Sequence, residues 1–146
     1  MEQTSGILIV EDIPFARTLA AQKLRESGLT NLAYAATLDE AVAAVSSTPD
    51  QPQFKRIVLD AHFPLSLTDP RDLPNGGCAK RFIEHVGTLG DSLGRFAIFG
   101  YSSDPMSKYG ITDEWIEAVA PNVVFFDATK QHTQWLPGLA KTVVLR

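Results

Sequence analysis

The sequence predicts a three-layer α/β fold, a (βα)5 doubly wound parallel sheet. Three observations carry that expectation. Five short apolar runs alternate with helix-like segments along the chain. The first run is continuous rather than alternating, as a strand covered on both faces reads. The length of 146 residues suits one domain. Alternation of this kind gives right-handed crossovers and helices on both faces of the sheet.

The elements follow in order. Gly6 to Val10 is the first strand, rich in β-branched residues. Pro14 to Ser27 carries Phe15, Leu19 and Leu24 near helical spacing, with Pro14 in the first turn and Gly28 as a stop. Asn31 to Ala36 is a weak second strand. Thr37-Leu-Asp-Glu40 is a capping box that opens a helix through about Ser47. Arg56 to Asp60 is the third strand and repeats the first one's pattern of an apolar run ending in an acid. Gly77 to Val86 is the third helix, entered through the turn Asn75-Gly76. The fourth strand starts at Phe96, Thr112 to Val119 is a helix, and Asn122 to Asp127 is the fifth strand. A last helical segment covers about Gln131 to Val144, interrupted by Pro137-Gly138. Phe63 to Gly76 is irregular: it holds three prolines and no apolar period, and a connection that long is usually functional or mobile.

Composition narrows the function classes. The chain is 45% hydrophobic, 21% charged and 9% aromatic, the balance of a soluble globular domain rather than of disorder or a coiled coil. No apolar run approaches the roughly 18 residues of a membrane span, so no membrane partner is expected. Met1 to Gly6 is polar without a basic region, which argues against a secretory signal. Cys78 stands alone, so neither a disulfide framework nor a cysteine metal site is expected, and the cytoplasm is the default compartment. The net charge of −4 argues against a nucleic-acid partner. Residues 1–146 are expected to form a single domain with no output domain after it.

In a doubly wound sheet ligands bind at the carboxyl ends of the strands, near the switch in strand order. The first strand ends in Glu11-Asp12 and the third in Asp60. If these strands are neighbours, the three acids converge at one edge, and such a cluster repels itself unless a cation sits in it. Hard oxygen ligands in that number suit Mg2+. One carboxylate could then serve as a nucleophile toward a phosphoryl group. Lys130, beyond the fifth strand, could pair with a phosphate oxygen as a point charge. Against this, Asp12 is also well placed as the N-cap of the first helix, Asp60 could be a loop-start acid, and Lys130 a solvated lysine. Capping does not explain acids after both strands.

At these residues a resemblance is clear. Ile7-Leu-Ile-Val-Glu-Asp-Ile-Pro-Phe-Ala-Arg-Thr-Leu19, onward through Gly28, resembles the opening of the response-regulator receiver domain. Ile57-Val-Leu-Asp60-Ala-His-Phe-Pro64 is similar to that family's third strand, with Pro four residues after the phosphoacceptor. Phe125-Phe-Asp-Ala-Thr-Lys130 resembles its fifth strand and lysine. The resemblance covers nearly the whole chain and implies a flavodoxin-like sheet of order 2-1-3-4-5. It implies that Asp60 is the phosphoacceptor, that Glu11, Asp12, Asp60 and the backbone carbonyl of His62 hold Mg2+, and that Lys130 contacts the phosphoryl group. The implied donor is a histidine kinase or phosphotransfer protein, with signalling onward to a downstream protein target, as monomer or homodimer. In-line phosphoryl transfer of this kind depends on positioning and charge neutralisation.

The sequence departs from that family on the output side. Its switch hydroxyl, at the end of strand four and before a small residue, is best matched by Ser102 followed by Ser103. A rival register puts Phe99 or Gly100 there, and neither can donate a side-chain hydrogen bond. The switch aromatic three residues before the lysine is replaced by Asp127, with Phe125 and Phe126 reading as ordinary core. The loop after Asp60 is longer than the family's turn, and it could sense or gate the phosphoryl group. Two other readings remain: a pseudo-receiver interaction domain that is not phosphorylated, and a haloacid-dehalogenase-like phosphatase. The latter needs a second Asp two residues past the nucleophile, where His62 stands. His62, His85 and His132 show no metal-ligand spacing, and no GxGxxG, GxxxxGK[ST] or GxSxG motif is present.

Overall fold

The first strand, β1 (Gly6–Val10), is an inner strand of a sheet whose order is β2-β1-β3-β4-β5. The computed structural model describes residues 6–46, 54–89 and 96–129. Within them β2 is Leu32–Ala35, β3 Phe54–Leu59, β4 Phe96–Ser102 and β5 Val123–Thr129, and every pairing is parallel. The helices are α1 (Pro14–Glu26), α2 (Leu38–Ser46), α3 (Gly77–Thr88) and α4 (Asp113–Val119). Two 3-10 turns, Pro74–Gly76 and Met106–Tyr109, precede α3 and α4. Class and strand order are those the sequence implies. The segment expected as a last helix, and Lys130, lie outside the described residues.

Alternation along each strand sorts side chains to two apolar layers. Ile7, Ile9, Val58, Ala97, Phe99 and Tyr101 pack against α1. Leu8, Val10, Ile57, Leu59, Phe96 and Ile98 face a larger layer with residues of α2, α3 and α4. Phe125 joins the second layer and Phe126 the first, where it stacks on Phe99 with ring centroids 5.5 Å apart. Both phenylalanines are core, as their sequence context suggests.

One apolar face differs from the sequence expectation. Spacing puts Phe15 and Leu19 on the buried side of α1, but the buried residues are Ala20, Ala21 and Leu24. Phe15 is 78% exposed, and Leu19 is exposed as well. Ala20 and Ala21 let α1 lie close to the sheet beside the buried Leu24, and Phe15 and Leu19 are turned to solvent.

The start of α2 is fully accounted for. Thr37 Oγ1 accepts the Glu40 amide at 3.1 Å, and Glu40 reaches back to the Ala36 amide at 2.7 Å. The next two free amides, of Leu38 and Asp39, donate to the Pro64 and Leu65 carbonyls of the β3–α3 connection. That connection is therefore built into the fold. The Leu65 amide donates to Arg71 O, Ser66 to Asp69 O, and the Arg71 guanidinium grips both Asp69 oxygens at 2.9 and 2.7 Å. Phe63 anchors it in the core. At its far end Asn75 and Gly76 both adopt left-handed backbone, the geometry an Asn-Gly pair tolerates. Among the described residues, no helix is long and apolar enough to cross a membrane.

Helices α3 and α4 meet closely at Gly87, where an added Cβ would lie 2.6 Å from the Val119 carbonyl oxygen. Gly87→Ala is expected to lower stability by about 1–3 kcal/mol despite alanine's better helix propensity, read by urea denaturation. His85 on α3 bonds Ser46 Oγ of α2 at 2.8 Å, and burial holds its imidazole below the ordinary histidine value. The unfolded chain then binds the extra proton first. This contribution to stability is complete above about pH 6.5 and is lost as pH falls below it. The difference in urea midpoint between pH 7.5 and pH 5 should shrink in His85→Gln.

Candidate functional site

Main-chain hydrogen bonds carry the sheet one residue beyond β1 and β3. The Glu11 amide donates to Ala35 O at 2.9 Å, and the Asp60 amide to Val10 O at 3.1 Å. These bonds fix both acids at the carboxyl edge, where the strand order reverses between β1 and β3. Glu11, Asp12 and Asp60 each offer a carboxylate oxygen within 4.8 Å of the others. Glu11 is only 2% exposed and Asp60 4%, while Asp12 is exposed. Two ionised groups at such a separation repel by about 3 to 4 kcal/mol at an effective dielectric constant near 20. The capping explanation for Asp12 does not hold: Ile13 occupies the cap position of α1, and no side chain caps that helix.

The acids open into a cleft of about 360 Å³, lined by Asp12, Asp60, His62, Asp72 and Ser103 among others. One Asp60 oxygen, Oδ1, accepts the Ala61 amide at 2.7 Å, which orients the carboxylate. The donor set fits a hard divalent cation: three carboxylates, two of them buried, with an open side for water.

His62 is more than a solvated loop side chain. Its Nδ1 lies 3.1 Å from Asp72 Oδ2 and its Nε2 2.8 Å from the Tyr109 hydroxyl. The rings of His62 and Tyr109 meet edge to face, with centroids 5.1 Å apart. With its proton on Nδ1 the ring donates to Asp72 and leaves Nε2 as acceptor for the Tyr109 hydroxyl, whose one proton also lies within reach of Asp104 Oδ2 at 3.4 Å. Burial and the nearby Asp104 push the Tyr109 phenol up, which keeps it a donor. Asp72 and Tyr109 lie ten and 47 residues from His62 in sequence. No local spacing could have revealed either partner.

The structure gives the register of the switch positions read from sequence. The ladder sets Gly100 opposite Asp127, and Ser102 opposite Thr129, so Ser102 and Asp127 are two residues apart along the strands. The position paired with Asp127 has no side chain. A Cβ on Gly100 would meet Met106 Cγ at 2.6 Å and Asp127 Oδ1 at 3.3 Å. Ser102 is 1% exposed, and its hydroxyl has no hydrogen-bond partner among the described residues. The serine that lines the cleft is Ser103. Asp127 itself accepts the Met106 amide with both oxygens, at 3.1 and 3.0 Å. It thereby caps the 3-10 turn before α4.

No protein-family model matches the chain, and no curated protein matches it in sequence. Solved structures do. The Mn2+-bound form of the response regulator Rcp1 superposes with a TM-score of 0.61 at 16% identity, covering 98% of this chain and 99% of that one. The phosphorylated cyanobacterial phytochrome response regulator RcpA gives 0.57 at 18% identity, with 98% and 99% covered. A chain from the complex of the CheA3 P1 domain with CheY6 of R. sphaeroides gives 0.54 at 19% identity, with 97% of each chain covered. The shared property at these identities is the receiver fold.

Asp127→Ala should remove the cap on the Met106 amide and cost about 1 kcal/mol. Urea denaturation reads the loss, and Asp127→Asn, which keeps one acceptor, should lose less.

Proposed function

We propose that the chain is a phosphoacceptor module of the response-regulator receiver type, taking a phosphoryl group on Asp60 with Mg2+. The observation that carries this reading is the convergence of Glu11, Asp12 and Asp60 at the switch point of the sheet. Three carboxylates gathered at one sheet edge, two of them buried, are a donor set of the kind a hard divalent cation takes. Glu11, Asp12 and Asp60, with the His62 carbonyl, are the groups that would hold Mg2+. When bound, the cation would neutralise charge on the incoming phosphoryl oxygens.

The step itself is a displacement at phosphorus. An Asp60 oxygen forms the new O–P bond as the P–N bond of a donor phosphohistidine breaks and imidazole leaves. Water later cleaves the aspartyl phosphate to carboxylate and inorganic phosphate. Ser103, on the cleft wall, is the hydroxyl best placed to contact the phosphoryl group. Lys130 is assigned the matching cationic role by sequence position.

Donor docking has a surface to use. Ile13 lines the cleft, and Ile13, Phe15 and Leu19 are exposed apolar residues at the start of α1. The complex of CheY6 with the P1 domain of CheA3 supports a kinase or phosphotransfer protein as partner. Signalling onward would run through contact with another protein, in the cytoplasm.

A second reading, an interaction domain that is not phosphorylated, is favoured by Asp127, which stands where the resemblance implies an aromatic and is held on the Met106 amide. Intact mass separates the two. With Mg2+ and acetyl phosphate, the protein should gain one phosphoryl group that hydroxylamine removes and Asp60→Asn does not acquire. No gain, together with no Mg2+ binding by titration, would leave the interaction-domain reading standing.

A further inference from the structure

We propose that Tyr109 and Asp72 are positioning residues for the Mg2+ site, acting through the ring of His62. This rests on the phosphoacceptor reading above. Residues 60–65 form the wall of the cleft next to Asp60 and are held from several directions. The Asp60 amide is tied to β1, the Phe63 side chain is in the core, and the Pro64 and Leu65 carbonyls receive the first amides of α2. Between these anchors, Ala61 is fixed by Asp60 Oδ1, and the remaining freedom belongs to residue 62.

His62 is then locked through its side chain. Asp72 holds Nδ1 at 3.1 Å from the far arm of the long loop. Tyr109 holds Nε2 at 2.8 Å from the 3-10 turn before α4. The turn is itself held at its start by Asp127, and Tyr109 also lies 3.4 Å from Asp104. Each bond is partly solvent-exposed, and alone each would contribute little. With both ring nitrogens engaged, however, the imidazole keeps little freedom to rotate, and its backbone is held with it. A site whose supporting groups are fixed in advance binds its cation without first ordering them.

The His62 backbone is the part of this wall assigned to the cation, so loosening the ring should weaken metal binding while Asp60 stays in place. Coupling is reciprocal: whatever fixes residue 62 from inside the cleft also stabilises the turn that carries Tyr109.

A double-mutant cycle tests this, with Mg2+ alone titrated calorimetrically. Tyr109→Phe and His62→Leu leave the net charge unaltered. Each is expected to weaken Mg2+ binding about three- to tenfold, at or below the lower end for outer partners of metal ligands, because this network is half exposed. Tyr109→Phe should cause no further loss in the His62→Leu background, which a merely structural tyrosine would not reproduce. Asp72→Asn provides a second arm: its loss beyond the simple charge effect should also vanish without the imidazole. Thermal melting checks that each variant is folded, and the Asp72 arm decides the matter if Tyr109→Phe is not. Unaltered Mg2+ affinity in Tyr109→Phe, or losses that add in the double variant, would overturn the proposal alone. Failure of the wild-type protein to bind Mg2+ through Asp60 would overturn the phosphoacceptor reading and this inference together.

Discussion

Three carboxylates crowd one sheet edge because main-chain hydrogen bonds put them there. The amides of Glu11 and Asp60 are the last rungs of the β1–β2 and β1–β3 ladders. Their positions are therefore set by strand pairing and by the burial of Leu8, Val10, Ile57 and Leu59 behind them. The strands cannot part to relieve the repulsion without losing that burial. At about 25 cal/mol per Å² of apolar surface, the buried side chains outweigh a few kcal/mol of like-charge contact. The acids border a cleft of about 360 Å³, lined by Asp12 and Asp60, with room for a cation.

The long β3–α3 connection shows how an irregular segment becomes part of such a site. Helix α2 begins with amides that need acceptors. Its capping box satisfies those of Glu40 and Ala36, and the connection supplies carbonyls for Leu38 and Asp39. The loop is thereby pinned at Pro64 and Leu65, and the turn closed by Arg71 and Asp69 sends the chain back toward the cleft. Asp72 arrives beside His62 as a consequence. Three prolines in this stretch lower the entropy of the unfolded segment, so fewer contacts are needed to order it.

The parts legible in the sequence are those governed by local rules. Continuous apolar runs gave the buried strands, Thr37 and Glu40 gave the start of α2, and acids after two strands gave the cleft. Phe15 and Leu19 misled because helical spacing identifies a stripe without saying which stripe is covered. The small residues Ala20 and Ala21, weak as sequence signals, take the buried side. The register that sets Gly100 opposite Asp127 belongs to the β4–β5 pairing, and β4 is buried along its whole length, so no alternation in its sequence marks which residue faces which. The partners of His62 were invisible for another reason. Asp72 and Tyr109 meet it only after two connections have folded against the same cleft wall.

Asp127 bears on how occupancy of the cleft could be transmitted. A side chain that reports by rotating must have a second position open to it. Asp127 accepts one amide with both oxygens, and the small space across from it, above Gly100, is filled by Met106. Rotating it away would strand the Met106 amide and break the start of the 3-10 turn. Asp127 is thus a fixed tie between β5 and the segment before α4. Among the described residues, the Tyr109–His62 bond links that segment to the end of β3 without running through the sheet. Within the described residues, the path between cleft and turn thus crosses the loops, where hydrogen bonds to an exposed ring can form and break without disturbing the core.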